Sequence, residues 1–228
     1  MAVQSEFCLG VLMLDNRFPR PLGDIGNHST FPFTVLYDRV AGARVERVVT
    51  GHGLAPELVH DFAARAVQLE RDGAQLITTG CGFLLPHQDE LSAAVSVPVV
   101  TSALCVLPYL RSIAPTGQPL GVLTFDGPKL RTTLGPGAAG LQIEGIENGS
   151  ELHAVIAEDR ATLDLEAARR DVAAAARRLK DHAPDIFALV MECTNLPPYR
   201  DAIEEVFDCP IYDIRDLVHW HARLAPPE

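Results

Sequence analysis

The stretch that decides the fold is Met191-Glu192-Cys193-Thr194-Asn195-Leu196-Pro197-Pro198. It follows the apolar run Ile186-Phe187-Ala188-Leu189-Val190, which is typical of a buried strand. The two prolines suit the first turn of a helix. The pattern therefore places a cysteine between the C-terminal end of a strand and the start of a helix. Ligands of open parallel sheets bind at that edge, and the helix dipole there favours a thiolate over a thiol.

A similar stretch occurs earlier in the chain, as Leu76-Ile77-Thr78-Thr79-Gly80-Cys81-Gly82-Phe83-Leu84-Leu85-Pro86. Four residues of this region recur 112 positions later, in the pairs Cys81 and Cys193, Pro86 and Pro198, Asp89 and Asp201, and Pro98 and Pro210. Upstream, Leu9-Gly10-Val11-Leu12 recurs 111 positions later as Leu120-Gly121-Val122-Leu123. The sequence therefore predicts two similar halves, each with a cysteine at a strand edge.

The composition indicates a globular protein with free thiols. The chain has 228 residues, 47% of them apolar and 21% charged, and a net charge of −11 that argues against nucleic acid and anionic membranes as partners. It has five cysteines, no CxxC pair, and no basic segment followed by an apolar one at its N-terminus, so we expect reduced thiols in the cytoplasm. Residues 91–110 lack charge, but Pro98 and Pro108 argue against a transmembrane helix there.

Apolar runs alternate with helical patterns along the chain. Besides the two cysteine strands, strands are predicted at 7–14, 34–40, 44–49, 97–100, 120–125, 141–146 and 210–212, and helices at 56–71, 103–114, 127–134, from 198 and at 213–224, with Asp164 capping a further helix that ends near His182. This alternation predicts an α/β fold of two doubly wound parallel-sheet halves, related by pseudo-twofold symmetry, with the site in the cleft between them. We assign residues 1–99 and 213–228 to the first half and residues 100–212 to the second.

Two thiols that face each other across a cleft can invert the configuration of a carbon atom. If one thiolate removes the proton next to a carboxyl group and a thiol on the opposite face delivers another, the configuration inverts; acid–base help of this kind contributes about 10²–10⁴-fold. Cys81 and Cys193 are therefore the candidate catalytic residues, although two buried structural cysteines would give the same pattern. The other three cysteines, in or beside apolar runs, are assigned to the core.

Polar groups beside the thiols are candidate substrate ligands. Backbone amides and hydroxyls near each cysteine suit a carboxylate and a developing enolate, so we assign this role to Thr79, Gly82, Phe83, Thr194 and Asn195. Three further residues have two readings each. Asn16 reaches the substrate or belongs to a solvated loop, Thr124 binds a carboxylate or ends a strand, and Glu192 tunes the adjacent thiol or follows the strand. No His or acidic cluster has the spacing of metal ligands, so we expect neither a metal nor a cofactor.

These residues resemble the aspartate/glutamate/hydantoin racemase superfamily, whose members work without pyridoxal phosphate. The resemblance spans nearly the whole chain and rests on four segments, the Gly10-Val11 strand, the Cys81 loop, the Gly121-Val122-Leu123-Thr124 strand and the Cys193-Thr194 loop. It implies that Cys81 and Cys193 are the two bases, that the C-terminal helix returns to the first domain, and that the chain forms a homo-oligomer, commonly a dimer. The implied function is racemisation or epimerisation of a small aspartate-like, glutamate-like or hydantoin substrate.

The chain departs from the family pattern at three places. Amino-acid racemases of this family usually show Cys-Asn-Thr at the first cysteine, where this chain has Cys81-Gly82-Phe83. They carry Glu or His after the second Cys-Thr, where this chain has Asn195, and their loop after the first strand is replaced by Asp15-Asn16-Arg17-Phe18-Pro19. Three alternatives follow: a maleate isomerase, an arylmalonate decarboxylase-like enzyme that needs only one cysteine, or a binding module without catalysis.

Overall fold

A computed structural model describes residues 7–224 of the chain. They form two sheets of four parallel strands. The first sheet has the order β2-β1-β3-β4 and comprises β1 (Cys8–Met13), β2 (Thr34–Arg39), β3 (Leu76–Thr79) and β4 (Val99–Val100). The second has the order β6-β5-β7-β8 and comprises β5 (Leu120–Thr124), β6 (Leu141–Gly145), β7 (Ala188–Met191) and β8 (Ile211–Tyr212). The second sheet repeats the first strand for strand, so the predicted α/β fold is confirmed.

Helices flank both sheets. In chain order they are α1 (Val45–Val48), α2 (Pro56–Arg71), α3 (Gln88–Ala94), α4 (Leu107–Ile113), α5 (Gly127–Leu134), α6 (Leu152–Ala157), α7 (Leu165–His182), α8 (Arg200–Glu204) and α9 (Ile214–Leu224). Short 3₁₀ helices cover Gly82–His87, Ala103–Val106, Gly135–Ala138 and Pro197–Tyr199. Within residues 7–224, no helix combines the length and the apolar character that crossing a membrane requires.

The central strands are apolar because helices cover the sheets. The glycines at equivalent positions of the repeat, Gly10 and Gly121, lie where the covering segments approach most closely. A Cβ atom on Gly10 would lie 3.0 Å from Ala74 Cβ, and one on Gly121 would lie 2.6 Å from Ile186 Cδ1. Each half therefore uses a glycine on its central strand to let the adjoining segment pack against the sheet.

Most predicted elements are confirmed, and one strand is wrong. The helices predicted at 56–71 and 127–134 have those bounds, and the Asp164 carboxylate accepts hydrogen bonds from the N–H groups of Glu166 and Ala167 at the start of α7. The strand predicted at 44–49 is the short helix α1 instead. Three valines suggested a strand there, but the buried positions 45, 48 and 49 have helical spacing. Helix α6 was not predicted.

The helices predicted after the two cysteine loops are present, but 3₁₀ helices precede them. A 3₁₀ helix follows Cys81 before α3 begins, and a single 3₁₀ turn precedes α8. Prolines in both segments limit the regular i to i−4 hydrogen bonds. The C-terminal helix α9 contacts β3 and the 3₁₀ helix Ala103–Val106, so it packs against elements next to the first sheet. The residue boundaries of the two halves stay a prediction.

Candidate active site

Both candidate catalytic cysteines line one cavity. Cys81 follows β3 after one residue, Cys193 follows β7 after one residue, and the loop after β1 contributes the remaining polar wall. The cavity holds about 350 Å³ including its open mouth, which is at the small end for ligand sites. Its lining consists of Leu14, Asn16, Phe18, Val45, Val49, Gly80, Cys81, Gly82, Phe83, Phe125, Ile156, Glu192, Cys193, Thr194 and Asn195. The two matched loops therefore meet where the sequence places the site.

Equivalent backbone hydrogen bonds hold the two cysteine loops. Gly80 N–H donates to the Leu12 carbonyl and Glu192 N–H donates to the Leu123 carbonyl, each at 2.8 Å. The carbonyl of each cysteine then accepts a bond from the N–H three residues later, at 3.2 Å for Cys81 and 3.1 Å for Cys193. The backbone N–H groups of Phe83 and Asn195 donate to the sulfurs of Cys81 and Cys193. The repeat therefore extends from the strands into the atoms around each thiol.

Burial keeps both thiols protonated in this structure. Burial raises the pKa of Cys81 to about 12, the Glu192 charge raises it too, and the Phe83 N–H and Arg20 oppose the shift. Burial also raises the pKa of Cys193 well above its ordinary value, with further contributions from Glu192, Cys81 and Asp24. The expectation that helix dipoles favour thiolates is therefore wrong here, because only short 3₁₀ helices lie near the two cysteines and desolvation has the largest effect on both pKa values.

Glu192 is a fully buried carboxyl group in the cavity wall. Its Oε2 accepts a hydrogen bond of 2.6 Å from Thr124 Oγ1. Its Oε1 lies against Gly82, where a Cβ atom would overlap it, and has no hydrogen-bond partner among residues 7–224. Burial raises the pKa of Glu192 to about 7, and the bond from Thr124 opposes the shift. At neutral pH the ionised and protonated forms of Glu192 are therefore comparably populated.

A polar chain links the cavity to the long loop after β1. Asn195 Nδ2 donates to Asp24 Oδ2 at 2.7 Å, and Arg20 donates to Asp24 Oδ1 at 2.9 Å and to Asn16 Oδ1 at 3.0 Å. Asn16 is buried, and its Nδ2 donor has no partner within the described part of the chain. This free donor in the cavity wall suits a carboxylate oxygen. Asn16 was a candidate from the sequence, but the pairing of Arg20 with Asp24 was not predicted.

Seven of the nine predicted site residues line the cavity. They are Asn16, Cys81, Gly82, Phe83, Cys193, Thr194 and Asn195. Thr79 and Thr124 are fully buried outside the lining. The Thr79 hydroxyl bonds the Thr101 carbonyl at 2.7 Å, and Thr124 supports Glu192. In this structure both threonines therefore lie behind the cavity lining, where their hydroxyl groups make hydrogen bonds within the protein. Whether any of the nine binds substrate stays a prediction.

Apart from Phe83, the apolar part of the lining was not predicted. It comes from separate segments, the β1 loop, the region of α1, the end of β5, and α6. Among the described residues that line the cavity, none is Lys, Arg or His. Over residues 7–224, no group of three or more His, Cys, Asp or Glu side chains is arranged to hold a metal ion.

The sequence matches a known family over most of its length. Residues 25–222 match the family described as Asp/Glu/Hydantoin racemase. A dimethylsulfoniopropionate lyase of Durusdinium sp. clade D is 30% identical over 219 residues, covering 90% of this chain and 70% of that protein. Dimethylsulfoniopropionate lyases of Emiliania huxleyi are 24–29% identical, and the chain spans 44–69% of their lengths.

Solved structures share the fold. The structure of unliganded arylmalonate decarboxylase matches with a TM-score of 0.60 and 15% identity, over 97% of this chain and 94% of that one. Glutamate racemase isoform RacE1 of Bacillus anthracis matches with a TM-score of 0.53 and 18% identity, over 90% of this chain and 76% of that one. The same two-sheet architecture therefore occurs in proteins named as racemases and as a decarboxylase.

Proposed function

The chain belongs to the Asp/Glu/hydantoin racemase family, and from that premise we propose that it is a lyase that cleaves dimethylsulfoniopropionate. This substrate carries a carboxylate on one carbon and a dimethylsulfonium group on the next. The proposal keeps the chemistry expected of the two cysteines, which is removal of a proton next to a carboxylate. It differs in the outcome, because the β carbon carries a good leaving group. The 30% identity to a lyase of that name over 90% of this chain supports the choice.

The observation that carries the proposal is the asymmetry around the two thiols. Glycines flank Cys81 on both sides, whereas Glu192 and Thr194 flank Cys193, and all four lie in the cavity wall. A racemase acts on mirror-image substrates and benefits from two chemically similar faces. An elimination needs one base, so the two faces are free to differ. The asymmetry therefore favours a lyase over a racemase.

The charge of the residues that line the cavity also favours dimethylsulfoniopropionate as the substrate. Aspartate and glutamate carry a second carboxylate, which cationic side chains commonly bind. The described lining has no Lys, Arg or His to bind it. The aromatic and aliphatic wall suits the two methyl groups of a sulfonium centre instead. These features argue against an aspartate or glutamate substrate.

The proposed reaction proceeds in one base-catalysed step. Once the thiol proton has passed to water, the cysteine thiolate takes the proton from the carbon next to the carboxylate, the electrons of that C–H bond form a C=C bond, and the C–S bond of the substrate breaks. Dimethyl sulfide leaves as a neutral molecule, acrylate remains, and the proton stays on the cysteine sulfur until water takes it. Asn16 Nδ2 and backbone N–H groups near the thiols are the donors for the carboxylate.

The direct test is to incubate the purified protein with dimethylsulfoniopropionate. Gas chromatography of the headspace measures dimethyl sulfide, and proton NMR measures acrylate, so that the two products are compared in amount. We expect equal amounts of both, and loss of both in the double variant Cys81→Ala/Cys193→Ala. Cys209→Ala is the matched control, because Cys209 lies outside the cavity lining, next to β8. Absence of both products from the wild-type protein would refute the proposal.

The retained pair of thiols favours a racemase or epimerase as the second candidate. Each sulfur accepts a bond from an N–H two residues later, as a matched pair of bases requires. The test uses single enantiomers of aspartate, glutamate and 5-substituted hydantoins in D₂O. Deuterium at the α carbon together with the opposite enantiomer, lost in both single cysteine variants, would establish this activity instead.

A further inference from the structure

We propose that Glu192 is the specificity-determining residue of the cavity and binds a positively charged centre of the substrate. The cavity would then select small zwitterions, with a sulfonium or quaternary ammonium group near a carboxylate, over neutral acids of the same shape. The sulfonium case rests on the proposed function. The proposal that Glu192 recognises a cation does not rest on the proposed function, because it concerns binding alone.

The position of Glu192 fits this role. The carboxyl group is fully buried yet lines the cavity, and its Oε2 is fixed by Thr124. Its Oε1 has no partner among the described residues, although a buried carboxyl oxygen ordinarily has one. A buried carboxylate that lacks a partner is costly, and a cationic ligand would relieve that cost. The unpaired oxygen therefore indicates which charge the ligand carries.

The charge of Glu192 has no balancing cation within the cavity lining. Arg20 is the cation that influences Cys81, but its guanidinium pairs with Asp24 at 2.9 Å and lies over the Phe18 ring at 4.4 Å. The other titratable groups that interact with the thiols beside Glu192 are Asp24 and the thiols themselves. None of these groups supplies a positive charge to Glu192.

The remaining walls suit the two ends of a zwitterion. Phe83 and Phe125 line the cavity, and aromatic faces attract cations that carry methyl groups. Asn16 presents the free Nδ2 donor for a carboxylate. Glu192 and Asn16 are thus a free acceptor and a free donor in the wall of one small cavity. A zwitterion offers a complementary group to each.

The test compares two ligands that differ only in charge. The betaine 3-(trimethylammonio)propanoate and the acid 4,4-dimethylpentanoate have the same shape, with a nitrogen cation in one and a carbon atom in the other. Isothermal titration calorimetry at pH 8 is expected to show the betaine binding at least about tenfold more tightly to the wild-type protein. In Glu192→Gln the ratio is expected to fall to about one. Glu158→Gln removes the same charge from the outer rim, outside the cavity lining, and should keep the wild-type ratio.

A second arm needs no variant. In the wild-type protein the preference for the betaine should shrink by several-fold between pH 8 and pH 5.5, because Glu192 becomes protonated while both ligands keep their carboxylates ionised. A hydrogen bond from protonated Glu192 to the ligand carboxylate would instead strengthen the binding of both ligands at pH 5.5. That result, or equal affinity for the two ligands in the wild-type protein at pH 8, would overturn the proposal, as would a preference unchanged in Glu192→Gln.

The outcomes also separate this inference from the proposed lyase. NMR of the mixture checks that the betaine stays intact during titration. A clear preference for the betaine without release of dimethyl sulfide from dimethylsulfoniopropionate would refute the lyase and support Glu192 as the cation ligand. Release of dimethyl sulfide with no preference between the two ligands would support the lyase and refute Glu192 as the cation ligand.

Discussion

The two cysteine loops have the same backbone and different neighbours. In both, a parallel strand ends two residues before the cysteine, and a 3₁₀ helix begins directly after Cys81 and four residues after Cys193. Gly80 and Gly82 flank the first cysteine, and Glu192 and Thr194 flank the second. The larger residues of one loop occupy the space that the glycines of the other leave open. Glu192 lies against Gly82, and Thr194 Oγ1 donates a hydrogen bond of 2.8 Å to the Gly80 carbonyl.

This difference shows how a repeated chain produces an asymmetric site. Duplicated strands deliver two thiols to one cavity, while the residues beside them interlock across the interface between the halves. It also explains the departure at Cys81-Gly82-Phe83 from the Cys-Asn-Thr pattern usual in family members that racemise amino acids. A Cβ atom on residue 82 would lie 2.6 Å from the Glu192 carbonyl oxygen, so an asparagine does not fit opposite Glu192. Gly82 and Glu192 therefore belong together, because only a glycine leaves room for the glutamate.

The largest expected effect is an unequal response to loss of the two thiols. An elimination with a neutral leaving group needs one base. Glu192 raises the pKa of both thiols and Asp24 also raises that of Cys193, whereas Arg20 opposes the rise at Cys81, so we assign the base to Cys81. We expect Cys81→Ala to lower kcat/KM for dimethylsulfoniopropionate by about 10²–10⁴-fold, and Cys193→Ala to lower it far less. Initial rates of dimethyl sulfide release measure both.

The corresponding serine variants provide the control for shape. Cys193→Ser keeps the size of the side chain, so its rate should remain close to that of Cys193→Ala if Cys193 is not the base. Equal losses for the two alanine variants would mean that both thiols transfer protons. Such a result would remove the functional asymmetry and favour the racemase.

The sequence predicted the strands and loops around the two cysteines better than it predicted the chemistry of the site. The strands, the two cysteine edges and most helix bounds follow from hydrophobic periodicity and the 112-residue repeat, which are read directly from the sequence. The contact between the Glu192 carboxyl group and Gly82 depends on how the two sheets pack. From the sequence, Glu192 was interpreted either as a residue that tunes the thiol or, with slight preference, as one that only follows the strand. The apolar lining comes from segments far apart in the chain, and no local pattern marks it. Helix dipoles suggested thiolates, but burial, which the sequence does not report, reverses that expectation.

The second expected effect is a stability cost of Glu192 that grows with pH. Its pKa is about 7 in the folded protein and 4.5 when unperturbed. Below pH 4.5 both the folded and unfolded states hold the proton, so nothing is gained or lost. As the pH rises through 4.5 to 7 the unfolded state releases the proton first, and the folded state loses about 3 kcal/mol in relative stability.

Glu192→Gln removes this titration. The difference in free energy of unfolding between Glu192→Gln and the wild type should shift in favour of the variant by about 2–3 kcal/mol from pH 5 to pH 8. Urea denaturation at both pH values measures it. Glu158→Gln, at an exposed position, should show no such shift. A difference that stays constant from pH 5 to pH 8 would mean that Glu192 has the same pKa in the folded and unfolded states.

The third effect contrasts the two glycines. A methyl group on Gly82 would overlap Glu192 Oε1 and lie 2.6 Å from the Glu192 backbone oxygen, which cannot move without shifting β7. A methyl group on Gly80 would meet the Met13 sulfur at 2.9 Å, at the flexible end of a side chain. We expect Gly82→Ala to lower the free energy of unfolding by about 2–3 kcal/mol and Gly80→Ala by about 1 kcal/mol. Thermal or urea denaturation checks the order, and equal losses would show that Glu192 does not constrain position 82.

The smallest effect concerns the hydroxyl of Thr194, which is the second contact from the Cys193 loop to a glycine of the Cys81 loop. Thr194→Val keeps the shape but removes the donor to the Gly80 carbonyl, which leaves a buried acceptor unpaired and should cost about 1–2 kcal/mol. Thr194→Ser keeps the hydroxyl and should recover most of that loss. If Gly80 and Cys81 shift with the lost bond, kcat should fall in Thr194→Val more than KM rises, since the base moves while Glu192 and Asn16 stay in place. A loss of stability with unchanged kinetics would instead show that Thr194 joins the halves without positioning the thiol.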